Sequence, residues 1–311
     1  MSNTKPGILQ FINRFGVFLI LIALLLFGTF AVSGFATWGN IMNIFRQNSF
    51  VMIIACGITL IAICGKTDLS AGAVCCLSGV IGIDCYMKTD NILVGFLVAI
   101  AIGVLCGFVN GAMVSYFNLP AFIATLSMQI FARGAVLLYT DGWPIYNIGR
   151  INYLGTNYYP ILFMLLFYVV TWFLLRYTKF ARHLFAVGGN EEVALASGIR
   201  TKRVIVSTFV FCSAVSAFSG MLLMCRLNSA APTAAEGYEF EALIGVVLGG
   251  TSSSGGIGTI TGTFVGCLIV GVINNILNLM GVQSYIHQII KGLLIAICVI
   301  YDINARNKKT K

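Results

Sequence analysis

RYTKFARHLFAVGGNEEVALASGIRTKR, residues 176–203, decides how the chain is arranged. It carries six basic residues and the adjacent acids Glu191 and Glu192, in a chain that is 59% hydrophobic and only 9% charged. A soluble domain averages about 25% charged residues, and several apolar runs here reach the roughly 20 residues that cross a hydrocarbon core. The sequence is therefore that of an integral membrane protein. A long polar loop in such a chain lies outside the hydrocarbon, and its Lys/Arg excess places it on the cytoplasmic side. Inside the loop, Gly188 and Gly189 read as a hinge and Asn190 as a helix N-cap. Glu191 and Glu192 fall at the positive helix end, and Gly198 reads as the stop. An ordinary solvated loop could hold these features, but here they stand on an otherwise minimal cytoplasmic face, like a docking element for a soluble partner.

Working outward, ten helices are expected, at about 15–33, 49–65, 68–87, 92–115, 121–139, 159–177, 204–226, 240–254, 262–281 and 284–302. The third opens on polar TDLSAG and the eighth dissolves into GGTSSSGGIGTITG. The fold class is all-α: a polytopic bundle of about ten transmembrane helices with broken helices. Residues 1–311 form one transmembrane domain, with 178–203 as its cytoplasmic loop. Ten crossings put Lys5 and Arg14, the central loop, and Arg306, Lys308, Lys309 and Lys311 all on the cytoplasmic side, so both termini are expected there. The outer loops 34–48, 140–158 and 227–239 then hold Arg46, Asp141, Arg150 and Glu236, with little net charge. Ile41, Ile44 and Phe45 have helical spacing, so 40–48 reads as a helix along the outer membrane surface. The N-terminal run resembles a signal peptide but is too long, and reads as an uncleaved first helix.

The net charge of +9 gathers at segment ends and in one loop, so it reports topology and excludes nucleic acid as a partner. Cys56, Cys64, Cys75, Cys76, Cys106, Cys212, Cys225, Cys267 and Cys298 fall in apolar segments, with Cys85 near a span end. With no CxxC and only His183 and His287, they read as small core residues, not metal ligands. GKT at 65–67 imitates the end of a phosphate loop, but Leu60 stands where that loop needs glycine. No nucleotide site is expected on this chain.

Four groups of residues carry the candidate chemistry. Thr67, Asp68 and Ser70 either cap the third helix or form a broken helix beside a solute path, since irregular polar chain survives in hydrocarbon only when buried or lining water. Thr251, Ser252 and Ser254 lie in the glycine-rich run, where close packing combined with a mobile gate is the preferred reading. Arg133 and Lys291 lie inside spans, where a structural ion pair with Asp68, Asp84 or Glu241 is favoured over solute contact. Asn110, Asn274 and Asn275 also lie within spans, where amides join helices, with direct solute contact as the lesser reading. GFVNG at 107–111 and GVINN at 271–275 form a faint echo of the repeated halves common in transporters.

Taken in order, TDLSAG, GFVNGAMVSYFNLPAFIATLSM, RHLFAVGGNEEVALASGIRTKRV, YEFEALIGVVLGGTSSSGGIGTITGT, NNILNLMGV and KGLLIAI resemble the permease subunits of bacterial ABC importers for monosaccharides. These are the ribose, galactose and xylose group, and the likeness runs from about 40 to 300. That family usually reads GGIDLS before its third helix. Asp68, Leu69 and Ser70 match, but Lys66 and Thr67 depart. Glu192, Ala194 and Gly198 fall at the spacing of the importers' coupling motif, with Val193 in place of the usual alanine. The resemblance implies a second permease subunit, cytoplasmic ABC ATPase subunits, an extracytoplasmic sugar-binding protein, and placement in the lipid of the bacterial cytoplasmic membrane. It implies no cofactor on this chain, ATP being used by the partner, and alternating access driven through a coupling helix near 190–198. The rival readings are a permease for nucleosides, branched-chain amino acids or a furanose-type signal molecule, a secondary transporter using Asp68 or Asp84, and a membrane-embedded enzyme.

Overall fold

The structure, a computed structural model, describes the backbone over residues 8–307 and side chains over 16–300 except 284, 298 and 299. The side chains of Lys5, Arg14, Cys298, Arg306, Lys308, Lys309 and Lys311 lie outside the described residues. The first five helices are α1 (Ile8–Ala31), α2 (Trp38–Ile63), α3 (Ala71–Thr89), α4 (Ile92–Ser115) and α5 (Ala121–Thr140). Strand β1 (Ile145–Tyr146), a 3-10 turn and α6 (Tyr159–Tyr177) follow, then α7 (Lys179–Gly189), α8 (Glu191–Ala196) and α9 (Thr201–Leu227). Strand β2 (Ser229–Ala230), α10 (Tyr238–Leu248), α11 (Ile260–Leu279) and α12 (Ser284–Asn307) complete the order. The two strands pair antiparallel, Ile145 opposite Ala230, and mark one end of the bundle.

Among the described residues, seven helices are long and apolar enough to cross a membrane: α2, α3, α4, α5, α6, α9 and α11. α1 and α12 contribute shorter described apolar stretches, Gly16–Ala31 and Tyr285–Ile297. The expected span at 240–254 differs most. α10 ends at Leu248 after 11 residues, a rise of about 16 Å, roughly half of a hydrocarbon core. The expected surface helix at 40–48 is also corrected, because it is the first part of α2. Asn40 and Asn275 exchange amide hydrogen bonds at 2.9 and 2.8 Å, and Asn48 donates to the Cys267 carbonyl at 2.8 Å. These bonds to α11 hold the segment inside the bundle.

α2 is the centre of the bundle, buried on every face from Asn48 to Ile63, as a helix apolar all round should be. α9 lies beside it, and α4 closes on α9 through a ridge of small residues. Gly95, Ala99, Gly103, Gly107 and Gly111 recur every four residues and are all buried, while Leu93, Leu97, Leu105 and Phe108 face outward. A Cβ on Gly107 would stand 2.6 Å from the Phe209 carbonyl, and one on Gly111 2.7 Å from the Val206 Cα. Helices in lipid associate through this close backbone contact, because tails are as apolar as leucine and supply no drive of their own. The described cysteines are free thiols in the core, with Cys85 half-buried.

Candidate functional site

Two irregular segments meet deep inside the bundle. The first, 64–70, leads from α2 to α3. Asp68 Oδ1 accepts the Ser70 backbone N–H at 2.8 Å and the Ser70 hydroxyl at 2.6 Å. Ser70 Oγ in turn accepts from Asn110 Nδ2 at 2.8 Å, and all three residues are buried. Thr67 offers its carbonyl to the Thr125 hydroxyl at 3.5 Å. The capping expectation needs correction: α3 begins at Ala71, and Ser70 occupies the N-cap without a side-chain bond to the helix. Asp68 instead closes a local turn of the kind aspartate makes two residues ahead.

The second segment, 231–237, was expected in an outer loop and instead turns inward after β2. Arg133 Nη1 donates to the Ala234 carbonyl at 2.7 Å, and Gln129 Nε2 donates to Glu239 Oε1 at 3.0 Å. Gly237, with φ +79°, makes the bend that opens α10. Gly72, in the first turn of α3, is covered by the Ala235 carbonyl and the Glu239 carboxylate, leaving no room for a side chain. Gly79 lies against Gly220, so Gly72 sits near the middle of α9, about 20 Å from either end.

The N-termini of α3 and α10 therefore meet at mid-depth, and the helices run apart, α3 toward the strands and α10 toward α7. Each N-terminus carries positive potential, and the buried carboxylates Asp68 and Glu239 lie beside them. Asp68 Oδ2, Asn110 Oδ1, Arg133 Nη2 and Glu239 Oε2 are buried with no hydrogen-bond partner in the protein. Irregular chain and half-helix ends at mid-membrane are how many transporters build a path.

At the opposite pole from the strands, the end of α7 is held backbone to backbone. Gly188 and Gly189 form the last turn of α7, so the expected hinge is helix. A Cβ on Gly188 would overlap the Ile63 carbonyl and stand 2.7 Å from the Gly256 nitrogen. That nitrogen donates to the Ile63 carbonyl at 2.9 Å. A Cβ on Gly255, where φ is +92°, would stand 2.8 Å from the Gly65 Cα. Gly65, Gly188, Gly255 and Gly256 thus form one junction joining the exit of α2, the end of α7 and the loop from α10 to α11.

α8 has clean ends. Asn190 accepts the Val193 N–H at 3.0 Å, and Gly198, with φ +82°, donates to Leu195 while Ile199 donates to Ala194, a Schellman stop. Ala194 is buried, whereas Val193 and Leu195 are 60% and 62% exposed. Glu192 is exposed, and Glu191 pairs with Lys66 at 2.9 Å. In the neighbouring loop, Thr251 is buried with its hydroxyl unpartnered, and Ser252 Oγ accepts the Ser254 N–H at 3.3 Å. Close backbone approach accounts for Gly249, Gly255, Gly256 and Gly262 of this run, whereas Gly250 stands in open space with a φ of +83°.

The remaining candidates form separate links. Lys291 pairs with Glu241, one of its three expected partners, and Asn274 donates to the same carboxylate at 3.4 Å. Asp84 is engaged by Lys88 and Tyr139, and Arg133 turns to the Ala234 carbonyl, so neither makes the intramembrane ion pair expected of it. The structure brings Thr67, Asp68, Ser70, Asn110 and Arg133 together at mid-depth. It sets Thr251, Ser252 and Ser254 beside the glycine junction, and Asn274, Asn275 and Lys291 in helix-to-helix ties. Sequence reasoning missed Glu239 and Gln129. The available signal for Glu239 was the bend glycine Gly237 followed by two acids opening an apolar run.

The family model described as branched-chain amino acid transport system / permease component matches residues 40–299. The ribose import permease protein RbsC of Bacillus subtilis (strain 168) is 39% identical over 305 residues, covering 95% of this chain and 94% of its own. RbsC of Escherichia coli (strain K12) is 37% identical over 288 residues, 88% of each chain. The D-allose transport system permease protein AlsC of the same strain is 32% identical over 310 residues, 97% of this chain and 95% of its own. No solved structure matches. With a family match over most of its length and near end-to-end likeness to these permeases, the chain belongs to the permease family of ABC importers, a transport component and not an enzyme, and is a multi-pass protein of the bacterial inner membrane.

Proposed function

We propose that the chain is the channel-forming subunit of an ATP-driven importer that moves a monosaccharide inward by alternating access. In this reading the α7–α8 pole is cytoplasmic, both termini lie on that side, and ten elements traverse the bilayer, with α10 and segment 231–237 sharing one interrupted passage. The observation that carries the reading is α8: a capped six-residue helix that presents Val193 and Leu195 outward, buries Ala194, and follows directly on the α7 end that closes the glycine junction. Exposed apolar side chains on a polar pole suit a protein partner, here a cytoplasmic ATPase that binds the nucleotide this chain does not. A second permease subunit and an extracytoplasmic sugar-binding protein complete the assembly.

A monosaccharide is neutral and rich in hydroxyls, and the mid-depth cluster offers matching chemistry in unpartnered acceptors at Asp68 Oδ2 and Asn110 Oδ1 and an unpartnered donor at Arg133 Nη2. The ribose and allose permeases among the relatives favour a sugar over the amino acid in the family model's description. ATP binding to the partner moves α8, and the two interrupted helices change which side of the path is open. Such switching requires contacts that differ between the two states.

The test is reconstitution with the cognate ATPase and binding protein in proteoliposomes, using ribose, allose and arabinose as solutes. ATP-dependent accumulation of one of them is expected, lost in Glu192→Arg with membrane insertion unchanged. Accumulation by the chain alone under an ion gradient, with no ATPase present, would overturn the reading.

A further inference from the structure

The glycine junction resists compression, because its backbones already touch, but it holds against separation by little more than the Gly256 N–H bond to Ile63. A helix that must drive an interrupted segment in both directions needs a second tie. Lys66 supplies one. It follows Gly65 directly, and its backbone N–H is fixed to the Ile61 carbonyl at 3.1 Å. Its Nζ donates to Glu191 Oε2 at 2.9 Å across 125 positions of sequence. Glu191 is the first residue of α8. Two residues beyond Lys66 stands Asp68, whose bonds run through Ser70 to Asn110 on α4. Ionic and backbone contact thus lead from α8 to the polar centre of the bundle.

We propose that Lys66 and Glu191 form a strut that transmits movement of α8 to segment 64–70 and so to the N-terminus of α3, with the glycine junction carrying the same movement to the loop after α10. Both are positioning residues. Neither needs to touch the solute. The ion pairs described in the structure are this one, Lys88 with Asp84 within α3, and Lys291 with Glu241, and of these it alone joins α8 to an interrupted segment. The proposal rests on the reading that α8 receives the ATPase.

The side chains are 24% and 43% exposed, so the pair contributes little to stability and its loss leaves the fold intact. The experiment uses the complete complex in proteoliposomes and measures solute accumulated per ATP hydrolysed, together with the ATPase that co-purifies. Lys66→Met should lower that ratio by about five-fold, the low end of usual coupling factors, with co-purification and ATP hydrolysis retained, and Glu191→Gln should lower it likewise. The charge exchange Lys66→Glu with Glu191→Lys should restore most of it. A wild-type ratio in Lys66→Met, or no recovery in the exchange, overturns the strut and leaves Glu191 at most a docking contact. Absence of ATP-driven uptake in the unaltered complex is a different failure: it removes the importer reading, and the strut with it.

Discussion

Replacing Lys291 by methionine tests how α10, too short to cross alone, is held in place. Glu241 has a side chain only 10% exposed, while Lys291 keeps 28%. Without the lysine, the carboxylate retains a single 3.4 Å bond from Asn274. A buried charge stripped of its partner costs about 3–5 kcal/mol, and the remaining amide bond puts the expectation near the low end, at about 3 kcal/mol. Glu241→Gln is milder, about 1 kcal/mol, because the lysine stem can carry its ammonium toward water. The double variant removes both charges together and should cost about 1–2 kcal/mol, for the amide left buried without the lysine. The coupling between the two sites is then about 2–3 kcal/mol, near the upper end for residues in contact. Equilibrium unfolding of the four proteins in mixed micelles measures it. Additive costs would refute the reasoning, and so would a larger penalty for Glu241→Gln than for Lys291→Met.

Gly188→Ala should weaken the protein by about 1–3 kcal/mol through overpacking and reduce uptake sharply, because the new methyl displaces the Ile63 carbonyl and breaks its bond from Gly256. Gly134→Ala, where a Cβ meets nothing within 4 Å, is the control, and equal effects in uptake and thermal denaturation would count against the junction. Asp68→Asn should lower transport at least ten-fold in initial rate, about 1.4 kcal/mol of coupling, while thermal stability changes little. Its amide oxygen can still accept both bonds from Ser70; uptake kinetics like the parent's would return Asp68 to a purely local structural role.

Several elements were legible from residue order because their signals are local. Asn190 and Gly198 mark the ends of α8 through hydrogen bonds three to five residues apart, and such bonds depend on little beyond the nearby chain. The paired acids Glu191 and Glu192 were likewise readable at a helix start. Lys291 with Glu241 was within reach, since an ionisable residue inside a span demands a partner and few were on offer. The small-residue ridge on α4 could have been found from its four-residue spacing, of which only GFVNG was noticed. The extent of α10 was only partly legible: Gly249 and Gly250 end its apolar run at Leu248, yet glycine stops a helix in one place and packs inside a span in another. Gly188 looked like a hinge for the same reason: a glycine that permits motion and a glycine that admits another backbone are spelled alike.

By itself the sequence determined that this protein lives in a bilayer, that it is helical, that one basic loop with a capped helix stands outside the hydrocarbon, and roughly where most spans lie. Apolar run length, charge placement and capping chemistry are properties of short stretches of chain, and they act before any tertiary contact forms. Only the tertiary structure decided that segments 64–70 and 231–237 meet at mid-depth, that Glu239 comes to lie beside Gly72, and that three glycine segments close on one another at the end of α7. Those arrangements depend on which backbones can approach without a side chain between them. That is set by the three-dimensional fit of helices far apart in the chain, and no local pattern encodes it.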